Sequence, residues 1–415
     1  MFNMAQYCFV DKEVLNKLES FTKSTWNPFS KEEFTSTLTK CNNLSTPSLN
    51  ELAWRYLKHI LKDSTCLKNI INITNMCFKL GYWPSYFKTS TTIVILKPNK
   101  LSYDSHKSFR PIVLLNTLGK LIKKVISDRL QFHTTSNNFI YQSQLGGLKF
   151  KSTFDTGIVL THFIHMRWVR NLPTSTLAFD ISQFFLSLNH WLLTLILSKV
   201  GLDPRVVKFF LNYLVGKRTQ YFWNNFSFLF FNIDIGVGQE SALSPILSAI
   251  YLALSLHILE NYLKILKIPI SILLFVDDGL LVAQSKSFSI SNSLLFCSYN
   301  IISFLLSRFD LIVEHSKTEV FYFTRLHGSF NLPPLDLSFI GSPMLYPKDT
   351  WKYLRFIFDR KLLFYQHIDF YSNKAISTVK CIKILGNLVR GLIPHQKCLL
   401  YRSYILPIAL YGFQL

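Results

Sequence analysis

Residues 268–283, IPISILLFVDDGLLVA, set two carboxylates, Asp277 and Asp278, side by side between two runs of strand-forming apolar residues. Burying one ionised carboxylate costs several kcal/mol without a compensating cation. Two of them 4 Å apart repel by about 4 kcal/mol at an effective dielectric of 20. Turn chemistry accounts for part of the pair: Asp278-Gly279 between apolar runs is a hairpin signal, because both residues tolerate positive φ. Asp277 is left without a reason. A third acid, Asp180, stands at the end of the apolar strand STLAFD far earlier in the chain; its alternative role is to cap the helix that follows. If that strand lies beside the hairpin, three carboxylates converge at one edge of a sheet. Such a set suits hard divalent cations, which take oxygen ligands and keep bound water and substrate phosphates. Two ions about 4 Å apart would activate an attacking hydroxyl and stabilise a leaving pyrophosphate.

The rest of the composition bears on that chemistry. The chain has 415 residues, 49% of them hydrophobic and 37 of them Phe, enough for two or three subdomains with sizeable cores. Its 45 basic and 24 acidic residues give a formal charge of +21. That excess points to a polyanionic partner, the alternative being a crowded basic surface. No uninterrupted apolar run reaches the roughly 18 to 20 residues of a membrane span, and the first residues lack the order of a secretory signal. Seven dispersed cysteines without CxxC spacing suit a reducing, intracellular compartment and argue against a zinc site. The histidines show no HExxH spacing and are assigned no metal.

Several elements must position the acids. Ser30 followed by Glu33 is a capping-box pattern, and NELAWRYLKHILK places Leu52, Tyr56 and Ile60 on one helical stripe. TTIVILKP reads as a strand closed by Pro98, and GKLIKKVISDRLQFH as a helix with a basic face. The helix NHWLLTLILSKVG stops at Gly201, and Tyr221 to Ile235 is β-like. The glycine loop GVGQESALSP feeds a helix with Ser244 as N-cap and Pro245 at its first position; Ile246, Ile250, Leu254 and Ile258 form its buried stripe. Strands and helices alternate irregularly, which predicts an α+β fold with helices over a mostly antiparallel sheet.

The stretches SFRPIVLLNTLGKLIKKVISDRL, QLGGLKFKST, AFDISQFFLSLNH, GVGQESALSPIL, FVDDGLLVA, HSKTEVFYF, WKYLRFIFD and ILPIALYG occur in one order. That order and spacing resemble the reverse-transcriptase domain of non-LTR (LINE-type) retrotransposons of the sort abundant in fungal genomes. The resemblance implies a right-hand polymerase fold: an N-terminal extension over 1–75, fingers over 76–170, palm over 171–335 with a finger-like insertion at about 201–235, and the palm end with an incomplete thumb over 336–415. It implies Asp180, Asp277 and Asp278 as ligands of two Mg²⁺ ions (or Mn²⁺), Asp277 being the firmer of the adjacent pair. Phe185 falls at the aromatic gate that would exclude a ribose 2′-hydroxyl, or else is core in a Phe-rich chain. Lys97 and Arg110 fall in segments that contact the triphosphate, Arg being suited by its bidentate fork. Gln239 would approach template and nucleotide. Lys317 is the general acid for pyrophosphate, or else a solvated lysine. The implied partners are an RNA template, a DNA primer and deoxynucleoside triphosphates, with no membrane, in a nuclear or nucleocytoplasmic setting.

The chain departs from the family pattern at several places. Glu240 replaces the Gly of Q-G-S, where backbone should approach the substrate. Arg355 replaces Gly in YLGF, Ser316 stands where Gly often precedes KTE, Lys123 where an acid is common, and Leu96 and Leu186 where Pro is expected. Each change can arise from one C·G to T·A transition, which suggests a decayed copy. The end at YGFQL falls inside a segment that the family continues, so a truncated thumb, without endonuclease or ribonuclease H domains, is expected. The alternatives are a catalytically silent nucleic-acid-binding protein and an unexpressed remnant.

Overall fold

The computed structural model describes residues 26–43, 52–98, 102–105, 108–223, 226–238, 241–325, 332–337, 344–385 and 391–415. Among them lie eleven strands: β1 Thr89–Leu96, β2 Phe109–Leu114, β3 Thr174–Ser182, β4 Lys217–Trp223, β5 Phe226–Ile233, β6 Ile270–Phe275, β7 Asp278–Gln284, β8 Ile312–Val313, β9 Glu319–Phe323, β10 Thr350–Tyr353 and β11 Phe356–Asp359. All pairings are antiparallel except that of β1 with β4. With the intervening helices this is the α+β fold that the sequence predicts. The chain divides into two compact units, one of 1–149, 181–264 and 302–313, the other of 150–180, 265–301 and 314–415.

In the first unit the sheet order is β2-β1-β4-β5. The helix Thr117–Ser136 is capped by Asn116, whose side chain accepts from the Gly119 N–H, and it buries Leu121, Ile122, Val125, Ile126 and Leu130. Its basic face is not wholly solvated: Lys123 is only 3% exposed. The Ser30–Glu33 capping box forms as expected, Ser30 N–H donating to Glu33 Oε2 at 2.8 Å. The next helix, Trp54–Ile60, corrects the expected stripe. Trp54, Leu57 and Leu61 are buried, whereas Tyr56 and Ile60 are exposed. The larger Trp54 surface selects the face at spacing i, i+3, i+7, and Tyr56 is left outside under the Arg55 guanidinium.

The helix Ser244–Ile265 buries the predicted stripe of Ile246, Ile250, Leu254 and Ile258, and much of its remaining surface as well. Ser244 does not cap it. That hydroxyl donates to the Gly238 carbonyl at 2.6 Å, tying the glycine loop to the helix start. This helix and Phe288–Arg308 are long and apolar enough to cross a membrane by length and composition, although neither is an uninterrupted apolar run; in the first, 78% of the apolar window is buried within the protein.

In the second unit β7 lies between β6 and β3, and β9 pairs with β3 on its other side. Alternation sends Leu280 and Val282 of β7, with Phe321 and Phe323 of β9, into one core. The helix Thr153–Trp168 and the β10–β11 hairpin complete it, Trp351 stacking on Phe321 with ring centres 5.7 Å apart.

Candidate active site

β3 and β7 run antiparallel in a register that makes Asp180 and Asp278 direct cross-strand partners. Partners of this kind share a sheet face, with Cβ atoms about 4.5–5.5 Å apart. On the other side of β7, Phe275 pairs with Asp278, which leaves Val276 and Asp277 as the two turn residues. The turn is therefore not at Asp278-Gly279. Val276 has φ +61° while Asp277 keeps a negative φ, the sign pattern of a type II′ turn, which favours Gly at its first central position. A β-branched residue there is strained by about 1–3 kcal/mol. Gly279 serves a different need, close packing: a Cβ on it would lie 2.1 Å from Cζ of Phe179.

The three acids are partly buried and feel one another. Burial pushes the Asp278 carboxyl up to about 6, with the charges of Asp277 and Asp180 adding to the shift and Lys317 opposing it. Burial also raises Asp277; a hydrogen bond from its own backbone and the charge of Lys317 work against that rise, and Asp180 adds to it. Lys317 is ion-paired with Asp180. That hydrogen bond raises the lysine further, helped by Asp180, Glu314 and Asp277. The backbone fixes this arrangement, since Glu314 N–H donates to the Asp180 carbonyl at 2.8 Å and Lys317 N–H to the Glu314 carbonyl at 3.0 Å. The Tyr299 hydroxyl braces the same turn, 2.7 Å from His315 Nδ1 and 3.0 Å from Thr318 Oγ1. Ser316, where glycine was expected, donates to Glu314 Oε1 at 2.9 Å and needs no left-handed φ.

Among the described residues no group of three His, Cys, Asp or Glu side chains is already gathered to hold a metal ion; one oxygen of Asp180 is instead occupied by Lys317. The donor chemistry nevertheless fits a hard divalent cation. The set is all carboxylate, and its three acids outnumber the lysine beside them. Sequence reasoning missed Tyr353, a buried residue whose hydroxyl has no hydrogen-bond partner among the described residues. Burial raises that phenol strongly and the charge of Asp278 adds to it. Nothing in WKYLRF marks it, because its neighbour Asp278 comes from a distant segment.

The remaining predicted residues lie in the first unit. Ile95 pairs with Arg110, and the Lys97 N–H donates to the Ser108 carbonyl at 2.9 Å. Lys97 is thus a diagonal neighbour of the exposed Arg110 on one sheet face. Phe185 is half-buried in the one-turn helix Phe184–Ser187, and its carbonyl accepts from the Val237 N–H at 2.7 Å. The fully core ring of that pair is Phe184, at 2% exposure. Gln239 and Glu240 lie outside the described residues.

A family description of reverse transcriptase (RNA-dependent DNA polymerase) matches residues 95–386. The chain is 24% identical over 351 residues to a probable RNA-directed DNA polymerase from transposon BS of Drosophila melanogaster, covering 83% of this chain and 37% of that protein. It is 24% identical over 357 residues to the RNA-directed DNA polymerase from mobile element jockey of the same species, covering 85% and 38%. Against the jockey polymerase of Drosophila funebris it is 26% identical over 227 residues, covering 55% and 24%. The chain therefore spans well under half the length of these relatives.

Proposed function

Because the chain belongs to the reverse transcriptase (RNA-dependent DNA polymerase) family, we propose that it is the polymerase portion of a LINE-type element, extending a DNA primer on an RNA template with deoxynucleoside triphosphates. The observation that carries this reading is the pairing of Asp180 with Asp278 across β3 and β7, beside Asp277 in the turn. Asp180, Asp277 and Asp278 would hold two Mg²⁺ ions, with Mn²⁺ as a substitute. Bound there, the ions supply activation of the primer 3′-hydroxyl and charge stabilisation at the phosphates.

The chain's own groups do the rest. Lys317, kept protonated by its acidic neighbours, donates a proton from Nζ to the leaving pyrophosphate. Lys97 and Arg110 take the triphosphate from one sheet face. Phe185 limits the space beneath the sugar, and Gln239 approaches template and nucleotide. The right-hand division into fingers, palm and partial thumb belongs to the same proposal.

Primer extension on an RNA template tests it. Asp277→Ala should reduce incorporation by about 10²–10³-fold or more, the scale of losing one electrostatic stabiliser of a transition state. Unchanged extension would remove the carboxylates from the chemistry.

A second reading is favoured by the Lys317–Asp180 ion pair, which already engages one acid of the trio. The protein would then be a catalytically silent binder of nucleic acid. RNA binding that falls steeply with salt, is indifferent to Mg²⁺ and comes without incorporation would select this reading over the first.

A further inference from the structure

A cavity of about 170 Å³ lies within the first unit, and three lysines reach its wall. Lys88 ends the short 3₁₀ turn Ser85–Lys88 before β1, Lys123 comes from the helix Thr117–Ser136, and Lys217 begins β4. The Lys123 amine lies 5.7 Å from the centre of the Trp83 ring and 5.6 Å from that of Tyr213. The Lys217 amine lies 4.1 Å from the same Tyr213 ring. Two ammonium groups therefore share one tyrosine. Its hydroxyl is engaged with Ser241 Oγ at 3.1 Å. Most of the remaining wall is apolar, from residues such as Val113, Ile233 and Val237.

This arrangement is costly as it stands. Among the described residues neither the Lys123 nor the Lys217 amine forms an ion pair or a hydrogen bond. A desolvated cation–π contact is worth about 2 kcal/mol, less than the several kcal/mol that burial of an ammonium costs. The charged groups acting on the two amines are cations: Lys120 on Lys123, and Lys123 and Lys88 on Lys217. His190 is nearby and feels Lys217; its own acidic neighbour is Asp234. Burial, reinforced by these like charges, pushes both lysines down to about 7. Among the described residues no carboxylate acts on these amines.

We propose that the cavity binds a small oxyanion carrying an apolar substituent, with Lys123 and Lys217 as its charge partners and Lys88 completing the cationic wall. A space near 150 Å³ accepts a benzene-sized body, so an aryl phosphate or aryl carboxylate matches both size and lining. The polymerase reading uses none of the three lysines, although Leu186 and Val237 of the wall adjoin Phe185.

The test titrates phenyl phosphate against the full chain at pH 7, following thermal stability and binding heat, with benzoate as the carboxylate arm and benzyl alcohol as the uncharged arm. One or both anions should raise Tm and the alcohol should not; whichever anion binds more tightly identifies the head group. Lys123→Met and Lys217→Met remove a buried ammonium and so should fold at least as well, yet each should bind about tenfold or more weakly, the loss of one charged hydrogen bond. At pH 8 binding should take up protons, seen as heats that differ between buffers of different ionisation enthalpy. No binding by either anion, equal binding by the variants, equal stabilisation by benzyl alcohol, or binding without proton uptake would each overturn the proposal.

Discussion

The two units hold opposite versions of the same electrostatic problem. In the second, three acids gather at the β3–β7 edge with one lysine among them. In the first, three lysines gather at a cavity, and among the described residues no carboxylate acts on Lys123 or Lys217. Burial disfavours the charged form in both places, raising the acids and lowering the amines. The difference lies in access and support. Lys317 offsets part of the acidic charge, and the turn that carries it is bonded to the strand backbone. Among the described residues, Lys123 and Lys217 have aromatic rings and other lysines beside them and no ion-pair partner. The acidic cluster is therefore partly compensated as it stands, whereas the basic cluster carries a standing penalty.

The strongest way to break the comparison is to give the lysines an acid. Lys123→Glu places a carboxylate on the helix at the position where the sequence resemblance leads one to expect an acid. It should stabilise the chain by several kcal/mol at pH 6–7, because a paired lysine replaces two buried cations, and it should abolish phenyl phosphate binding. A denaturant melt beside wild type decides it. Unchanged or lowered stability would mean that the ammonium groups already reach solvent, and the contrast between the units would collapse.

A smaller effect, with a sign fixed by linkage, should appear in the pH dependence of stability without added Mg²⁺ or oxyanions. Asp278 has a raised pKa when folded, about 6 against the usual 3.8. Its contribution is full below about pH 4 and is lost as pH rises through 6. The lysines behave in the opposite sense. Folded near 7 and unfolded near 10.5, they contribute fully only above 10.5, and that contribution is lost as pH falls to about 7. The two clusters together should dig a minimum in stability near pH 6–7. Melts of Asp278→Asn and Lys123→Met against wild type would isolate the two walls, the first variant removing the acid wall and the second part of the alkaline one. A wild-type profile that neither variant alters would exclude both shifts.

Much of the acidic site was legible in sequence because its acids stand at the ends of apolar, strand-forming runs. Asp180, Asp277 and Asp278 could be named, and the β3–β7 register then brings them together. The turn was misplaced because Asp-Gly is the stronger local signal, and only Phe179 packed on Gly279 reveals why that glycine belongs to the strand. The basic site was legible only as an oddity. Lys123 stood out as a departure, but Lys88 and Lys217 are ordinary residues of a turn and a strand, and their meeting depends on tertiary placement. Tyr56 and Ile60 failed for a related reason: the single stripe read from periodicity left out Trp54, which the fold buries together with Leu57 and Leu61.

The smallest expected effect asks whether backbone strain accompanies charge or merely sequence drift. Two hairpins of the second unit place non-glycine residues at positive φ: Val276, next to the acids, and Leu354 with Arg355, which join β10 to β11 at φ +47° and +71°. Two positive angles in a two-residue loop are the type I′ pattern, which Asn-Gly satisfies without strain, and the sequence resemblance leads one to expect glycine at the position of Arg355. An L-residue in the left-handed region costs about 1–2 kcal/mol. Arg355→Gly should recover roughly 1 kcal/mol, since the more flexible unfolded chain cancels part of the gain. The Arg355 carbonyl, which accepts from the Tyr371 hydroxyl at 2.8 Å, is kept by the substitution. Val276→Gly should gain a similar amount in stability but lower primer extension if a stiff turn is what aims Asp277. Equal stabilisation with unaltered extension in both variants would make the strain at Val276 as incidental as that at Arg355, and would leave the acids positioned by strand register alone.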